Sequence, residues 1–140
     1  MKRDNDLQVA KIAVTPQTTS GALVPVAVDA TSFSRARFIF SFGANDSTIA
    51  ALSTNLGVWA ASTSGGVYSL ITGAKLAGVS SGILGGNVMV VDTAVPTASP
   101  WLKASGAMTS TNIIVSAIVE LYRGVGLPPT HTEQQIVAIG

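Results

Sequence analysis

Residues able to do chemistry are scarce in this chain, and their spacing argues against an active site. The single histidine, His131, follows Pro128, Pro129 and Thr130 in a loop-like stretch. General acid–base work would need it beside a reacting group with a tuned pKa; a surface or interface histidine is the simpler reading. Asp29, Asp46, Asp92, Glu120 and Glu133 lie far apart along the sequence. A fold could pair two of them for glycoside hydrolysis, but dispersed, solvated acids fit the spacing better. No Asp-rich loop suggests calcium, and no serine sits in a nucleophile elbow. With no cysteine present, thiol catalysis, disulfides and cysteine-ligated metals are excluded. The glycines of Gly82-Ile83-Leu84-Gly85-Gly86-Asn87 match neither phosphate-loop spacing, and no lysine follows, so a flexible turn is expected there. The expectation is a non-enzymatic protein with no catalytic residue, cofactor or metal.

Binding chemistry has more candidates. Arg35 and Arg37, two residues apart, would share one face of a strand and meet either a nucleic-acid backbone or a carboxylate of a neighbouring subunit. Eight basic residues and a net charge of +1 are too few for a broad phosphate-binding surface. Trp59, Tyr68, Trp101 and Tyr122 could line a sugar site by stacking, yet each alone reads more naturally as a core or interface anchor.

Composition sharpens the interface reading. Charged residues make up 11% of the 140 residues and hydrophobic ones 47%, whereas about 25% charge is usual for a soluble domain. So little charge suits a subunit whose outside is covered by neighbours. The first six residues mix both signs and lack the apolar run of a secretion signal. Nowhere does an apolar run approach the ~18 residues of a membrane-spanning helix. The expectation is a soluble chain made inside a cell, for an assembled product.

The elements that would carry these residues are short strands. Residues 1–11 read as a charged arm, 12–126 as a β-domain and 127–140 as an extension closed off by Pro128-Pro129. Residues 12–14 and 23–28 are short extended candidates, and Pro25 favours an edge. The clearest strand is 35–42, where Phe38, Phe40 and Phe42 fall at period two and mark a core face. Residues 46–56 are ambiguous between helix and strand. Residues 56–61 and 67–71 flank a turn at 62–66 as a hairpin, with Trp59 and Tyr68 placed to face each other across it. Further strands are expected at 87–92, 101–104 and 112–123; in the last, Ile113, Val115, Ala117, Val119 and Leu121 share one face and Ile114, Ser116, Ile118, Glu120 and Tyr122 the other, so both faces are expected to be at least partly covered. Short strands with Gly, Pro and Ser/Thr turns and no convincing helix predict an all-β chain: one antiparallel β-sandwich or compact jelly-roll-like barrel with extended termini. The apolar Ile136-Val137-Ala138-Ile139 could add a strand to its own sheet or to a neighbour's edge.

The phenylalanine strand at 38–42, the run Gly65-Gly66-Val67-Tyr68-Ser69-Leu70-Ile71-Thr72-Gly73-Ala74, and Trp101-Leu102-Lys103-Ala104 ahead of the long 113–122 strand together resemble the small β-rich decoration or cement proteins of tailed-bacteriophage heads. The resemblance covers roughly residues 30–129. It implies a non-enzymatic virion component on the capsid surface, produced in the host cytoplasm, often trimeric, and bound across boundaries between major capsid protein subunits. It implies no specific nucleic acid and no membrane. The low charge departs from that family's pattern and leaves room for a shell or tail subunit, or for a receptor- or carbohydrate-binding β-domain. The residues expected at interfaces are Lys2, Arg3 and Lys11 in the arm, Arg35, Arg37 and Glu120 setting register through interchain pairs, and Ile136, Val137 and Ile139 in the tail.

Overall fold

A computed structural model of the chain describes residues 9–19, 22–43, 57–75, 87–106, 113–123 and 133–138, the last stretch by its backbone alone. The described residues form nine strands: β1 (Val9–Thr19), β2 (Val28–Asp29), β3 (Arg35–Phe42), β4 (Gly57–Ala61), β5 (Ser69–Lys75), β6 (Asn87–Ala94), β7 (Trp101–Ser105), β8 (Ile113–Tyr122) and β9 (Glu133–Ala138). Among them no helix is long and apolar enough to cross a membrane.

The first eight strands behave as one long antiparallel ribbon folded at the β4–β5 turn. Strand β4 pairs with β5, β3 with β6, β2 with β7 and β1 with β8. Rolling that ribbon brings β8 against β3 and β7 against β4. The result is two sheets, β1-β8-β3-β6-β9 and β2-β7-β4-β5. This is the strand order of a jelly roll, two Greek keys laid face to face. The sheets stay separate, so the expected β-sandwich is present and the barrel alternative is not.

Period-two patterning decides which side of each sheet is buried. Ala36, Phe38, Phe40 and Phe42 of β3, Met89 and Val91 of β6, and Val115, Ala117, Val119 and Leu121 of β8 fill the core from the larger sheet. Val58 and Ala60 of β4, Leu102 and Ala104 of β7 and Val28 of β2 meet them from the smaller one. Small side chains on one sheet facing large rings on the other let the layers interdigitate at interior density.

Two departures from the sequence reading have local causes. Strand β1 runs through Pro16 instead of ending at Val14, because it is an edge strand whose register shifts between Val14 and Gln17, where a residue without an N–H is tolerated. Its start at Val9 also takes residues 9–11 out of the presumed arm. Residues 23–27, though apolar, form no strand. The Gln17 side-chain amide accepts from Val24 N (3.0 Å) and donates to Val24 O (3.1 Å), while Val26 N donates to Ala13 O (2.8 Å). A side chain thus substitutes for the ladder, and β2 is reduced to Val28–Asp29.

Candidate functional site

The sandwich presents two outward faces, and the candidate residues divide between them. On the larger sheet, alternation turns Arg35, Arg37, Ile39 and Ser41 of β3 outward. In register across β8, β3 and β6 lies the row Glu120, Arg37, Asp92. Two residues further along, Ile12, Ile118, Ile39 and Val90 form a second, wholly apolar row over four strands. Ile12 and Ile118 keep 55% and 44% of their surface exposed, and Ile114 nearby keeps 50%.

Asp92 is the hub of the charged row. Its Oδ1 accepts from Arg35 Nη2 (2.8 Å) and Nε (3.2 Å), and its Oδ2 from Arg37 Nε and Nη2 (both 3.2 Å). The Tyr122 hydroxyl donates to the same Oδ2. Arg37 also reaches Glu120 at 3.7 Å and lies over the Tyr122 ring, 5.4 Å from its centroid. Arg35 and Asp92 are both buried, so this carboxylate is desolvated but fully hydrogen-bonded, the condition under which a buried charge is tolerated. Among the described residues no buried side-chain nitrogen or oxygen lacks a partner. Burial, reinforced by the bond to Asp92, pushes the Tyr122 phenol above its ordinary pKa. Burial works against the Arg37 charge, but Tyr122, Asp92 and Glu120 outweigh it and raise the Arg37 pKa.

These contacts revise the expected sites. Arg35 and Arg37 pair with Asp92, and Arg37 with Glu120, within the chain. Asp92 is not a solvated acid. Lys11 does not extend into an arm: it sits on β1, where its Nζ donates to Asp29 O at 3.3 Å and ties one sheet to the other. Ile136 and Val137 belong to β9, which adds to β6 of its own sheet with Glu133 opposite Asp92. Lys2, Arg3, Ile139, His131 and Asp46 lie outside the described residues, as do the 46–56 stretch and most of the 82–87 turn.

The smaller sheet has a different outward face. Leu102 and Ala104 point into the core, so Trp101, Lys103 and Ser105 point out. Trp59 is the register partner of both Lys103 and Leu70, and Trp101 is opposite Asp29 and Ala61. The expected Trp59–Tyr68 pair is therefore replaced by Trp59–Leu70. Tyr68 instead packs under Lys103, whose Nζ lies 4.1 Å from the ring centroid, while the Tyr68 hydroxyl donates to Ser64 O (2.9 Å). Burial raises the Tyr68 pKa. Both tryptophans of the chain thus share one face with a tyrosine and a lysine. Their separation in sequence hides this, since only the β7–β4 pairing brings residue 101 beside residue 59.

A third feature is an open cleft of ≈ 670 Å³ where β5 and the segment after β6 meet, lined by Leu70, Ile71, Thr93, Val95, Pro96 and Thr97 among others. No titratable side chain lines it, so it offers no acid–base pair. Among the described residues no three His, Cys, Asp or Glu converge as metal ligands would. Comparison with known proteins returns no matching family model, no similar curated protein and no similar solved structure.

Proposed function

We propose that this chain is a non-enzymatic structural subunit of a virion, decorating or cementing a capsid through multivalent contacts with copies of itself and with the major capsid protein. The observation that carries the reading is the apolar row Ile12, Ile118, Ile39 and Val90, exposed at Ile12 and Ile118 and half-buried at Ile39 and Val90, on a sandwich whose buried side-chain polar groups are satisfied among the described residues. Monomeric proteins seldom leave such a continuous apolar stretch uncovered. Five strands about 4.8 Å apart and roughly 25 Å long give a flat footprint of about 600 Å², which side-chain relief brings near the ~800 Å² per partner of a standard interface. The jelly-roll strand order suits this role, being common in capsid subunits, although the same order serves lectins and cupins. Arg37 and Glu120, bonded to each other beside the apolar row, supply a charged rim.

The test is to band particles by density from the cells that produce the chain and to quantify the chain against the major shell protein. A fixed stoichiometry on intact particles, lost when Ile118→Glu is substituted, supports the proposal. Recovery only as free monomer, or unchanged occupancy with Ile118→Glu, overturns it.

A further inference from the structure

We propose that the outward face of the four-stranded sheet is a binding site for an acidic oligosaccharide, with sugar rings stacked on Trp59 and Trp101 and a carboxylate held by Lys103. This face is separate from the apolar row of the larger sheet, so the two proposals stand or fall apart.

Three observations converge. The first is placement. Trp59 lies directly opposite Lys103, and Trp101 precedes Lys103 by two residues on the same strand, so the two indoles and the lysine share one surface. Diagonal neighbours in a sheet are about 7–8 Å apart, close enough for long side chains to form one continuous platform. Both tryptophans are half-buried.

The second is charge. Among the described residues, the ion pairs join Arg35 and Arg37 to Asp92 and Arg37 to Glu120, and no carboxylate lies within ion-pair distance of Lys103. The nearest acid in register terms, Asp29, accepts at Oδ1 from Thr31 N (2.9 Å) and Thr31 Oγ1 (2.6 Å), bonds that keep it ionised, and the cation beside it is Lys11, whose Nζ donates to Asp29 O at 3.3 Å. Stacking on Tyr68 holds the ammonium at the surface without neutralising it. A cation held on one ring, on a face that also carries two indoles, selects a ligand with one anionic group and an apolar flank.

The third is the kind of flank. An aromatic face is electron-rich and its edge electron-poor. The axial C–H face of a pyranose carries the opposite polarity and is flat enough to lie on it. Uronic and sialic acids combine that face with a carboxylate. Single-stranded nucleic acid also stacks on aromatic rings, but it needs a positive groove to follow its backbone, and one central lysine does not make one.

Both tryptophans of the chain lie on this face, so intrinsic fluorescence reports it directly. The full chain is titrated with tetragalacturonate, with a sialic acid tetramer, with cellotetraose as a neutral control and with a ten-residue oligothymidylate. A saturable fluorescence change is expected with at least one acidic tetramer, at least tenfold weaker with Lys103→Met and with Trp101→Ala, weaker in high salt, and unaltered by Ile118→Glu. Lys103→Met removes no core contact, so it keeps the test open should Trp101→Ala fail to fold. The proposal is overturned if neither acidic tetramer binds at millimolar concentration, if cellotetraose or the oligothymidylate binds as well, or if Lys103→Met binds like the parent chain.

Discussion

The two outer faces of this sandwich handle charge in opposite ways. On the larger sheet Asp92 gathers two arginines and a tyrosine, and among the described residues no buried side-chain polar atom lacks a partner. On the smaller sheet Lys103 rests on a ring with no carboxylate within ion-pair distance among the described residues. A closed cluster specifies the fold and has little capacity left for a partner, whereas an unanswered cation held in place has capacity to spare. What the larger sheet offers outward is therefore its apolar row, and what the smaller sheet offers is its charge and its rings.

The sharpest way to break this contrast is Asp92→Asn. It leaves the Arg35 guanidinium, 2% exposed, without a counter-charge, which costs about 3–5 kcal/mol and lowers Tm by about 10 °C or more. Arg37→Ala removes the 43%-exposed partner and costs below ~1 kcal/mol, as an exposed pair would. Calorimetric melting of both variants decides it. Equal losses would mean that the cluster is a surface decoration and not a closed core element.

Next in size is Gly57→Ala, which strikes the smaller sheet. A Cβ there would lie 2.2 Å from Ala74 O and 2.7 Å from Lys75 Cα, where the β4–β5 register is broken. Backbone must move, at a cost of about 1–3 kcal/mol by the scale of overpacking. Because the same pairing sets Trp59 opposite Leu70, tryptophan emission should change along with Tm. A change in Tm with unaltered emission would separate the aromatic face from the hairpin that presents it.

Ile118→Glu tests the apolar row. Ile118 faces water in the monomer, so its unfolding free energy should move by no more than ~0.5 kcal/mol. Self-association measured by sedimentation should fall at least tenfold. A large loss of stability would show that the row is part of the fold. Lys103→Met makes the matching probe on the other sheet: only the stacking on Tyr68 is lost, about 0.5–1 kcal/mol, against the several expected for Asp92→Asn.

Much of the sandwich is legible in the sequence because its signals are local. Phenylalanine at every second position fixes both the existence of β3 and its buried side, and the Ser-Thr-Ser-Gly-Gly run marks the turn at which the ribbon folds. The sites are not legible, because they depend on which strands become neighbours. Arg35 and Asp92 are 57 residues apart, and nothing in either segment says that β3 lies beside β6. One hint was available: arginines at period two on a strand with a buried face require a nearby carboxylate, and Asp92 directly follows the apolar run Val88-Met89-Val90-Val91. The failure at residues 23–27 has another cause, since hydrophobic composition there is satisfied by the Gln17 side chain in place of a ladder. The aromatic face of the smaller sheet was equally hidden, being assembled by the β4–β7 pairing.

The smallest effect is a pH dependence that belongs to the closed cluster alone. Burial and the bond to Asp92 raise the Tyr122 pKa above the value of about 10 it has in an unfolded chain. The folded state thus holds the phenolic proton more tightly than the unfolded one. The stability linked to it is fully present below pH ~10 and is lost as the pH rises through the folded pKa. Tyr122→Phe removes both the bond to Asp92 and this titration. The Tm difference between parent and Tyr122→Phe should therefore be greatest near neutrality and shrink as the pH rises above about 10. A difference that stays constant across that range would mean that the hydroxyl is not held by Asp92 in the folded protein, and the cluster would then be open to the same ligands as Lys103.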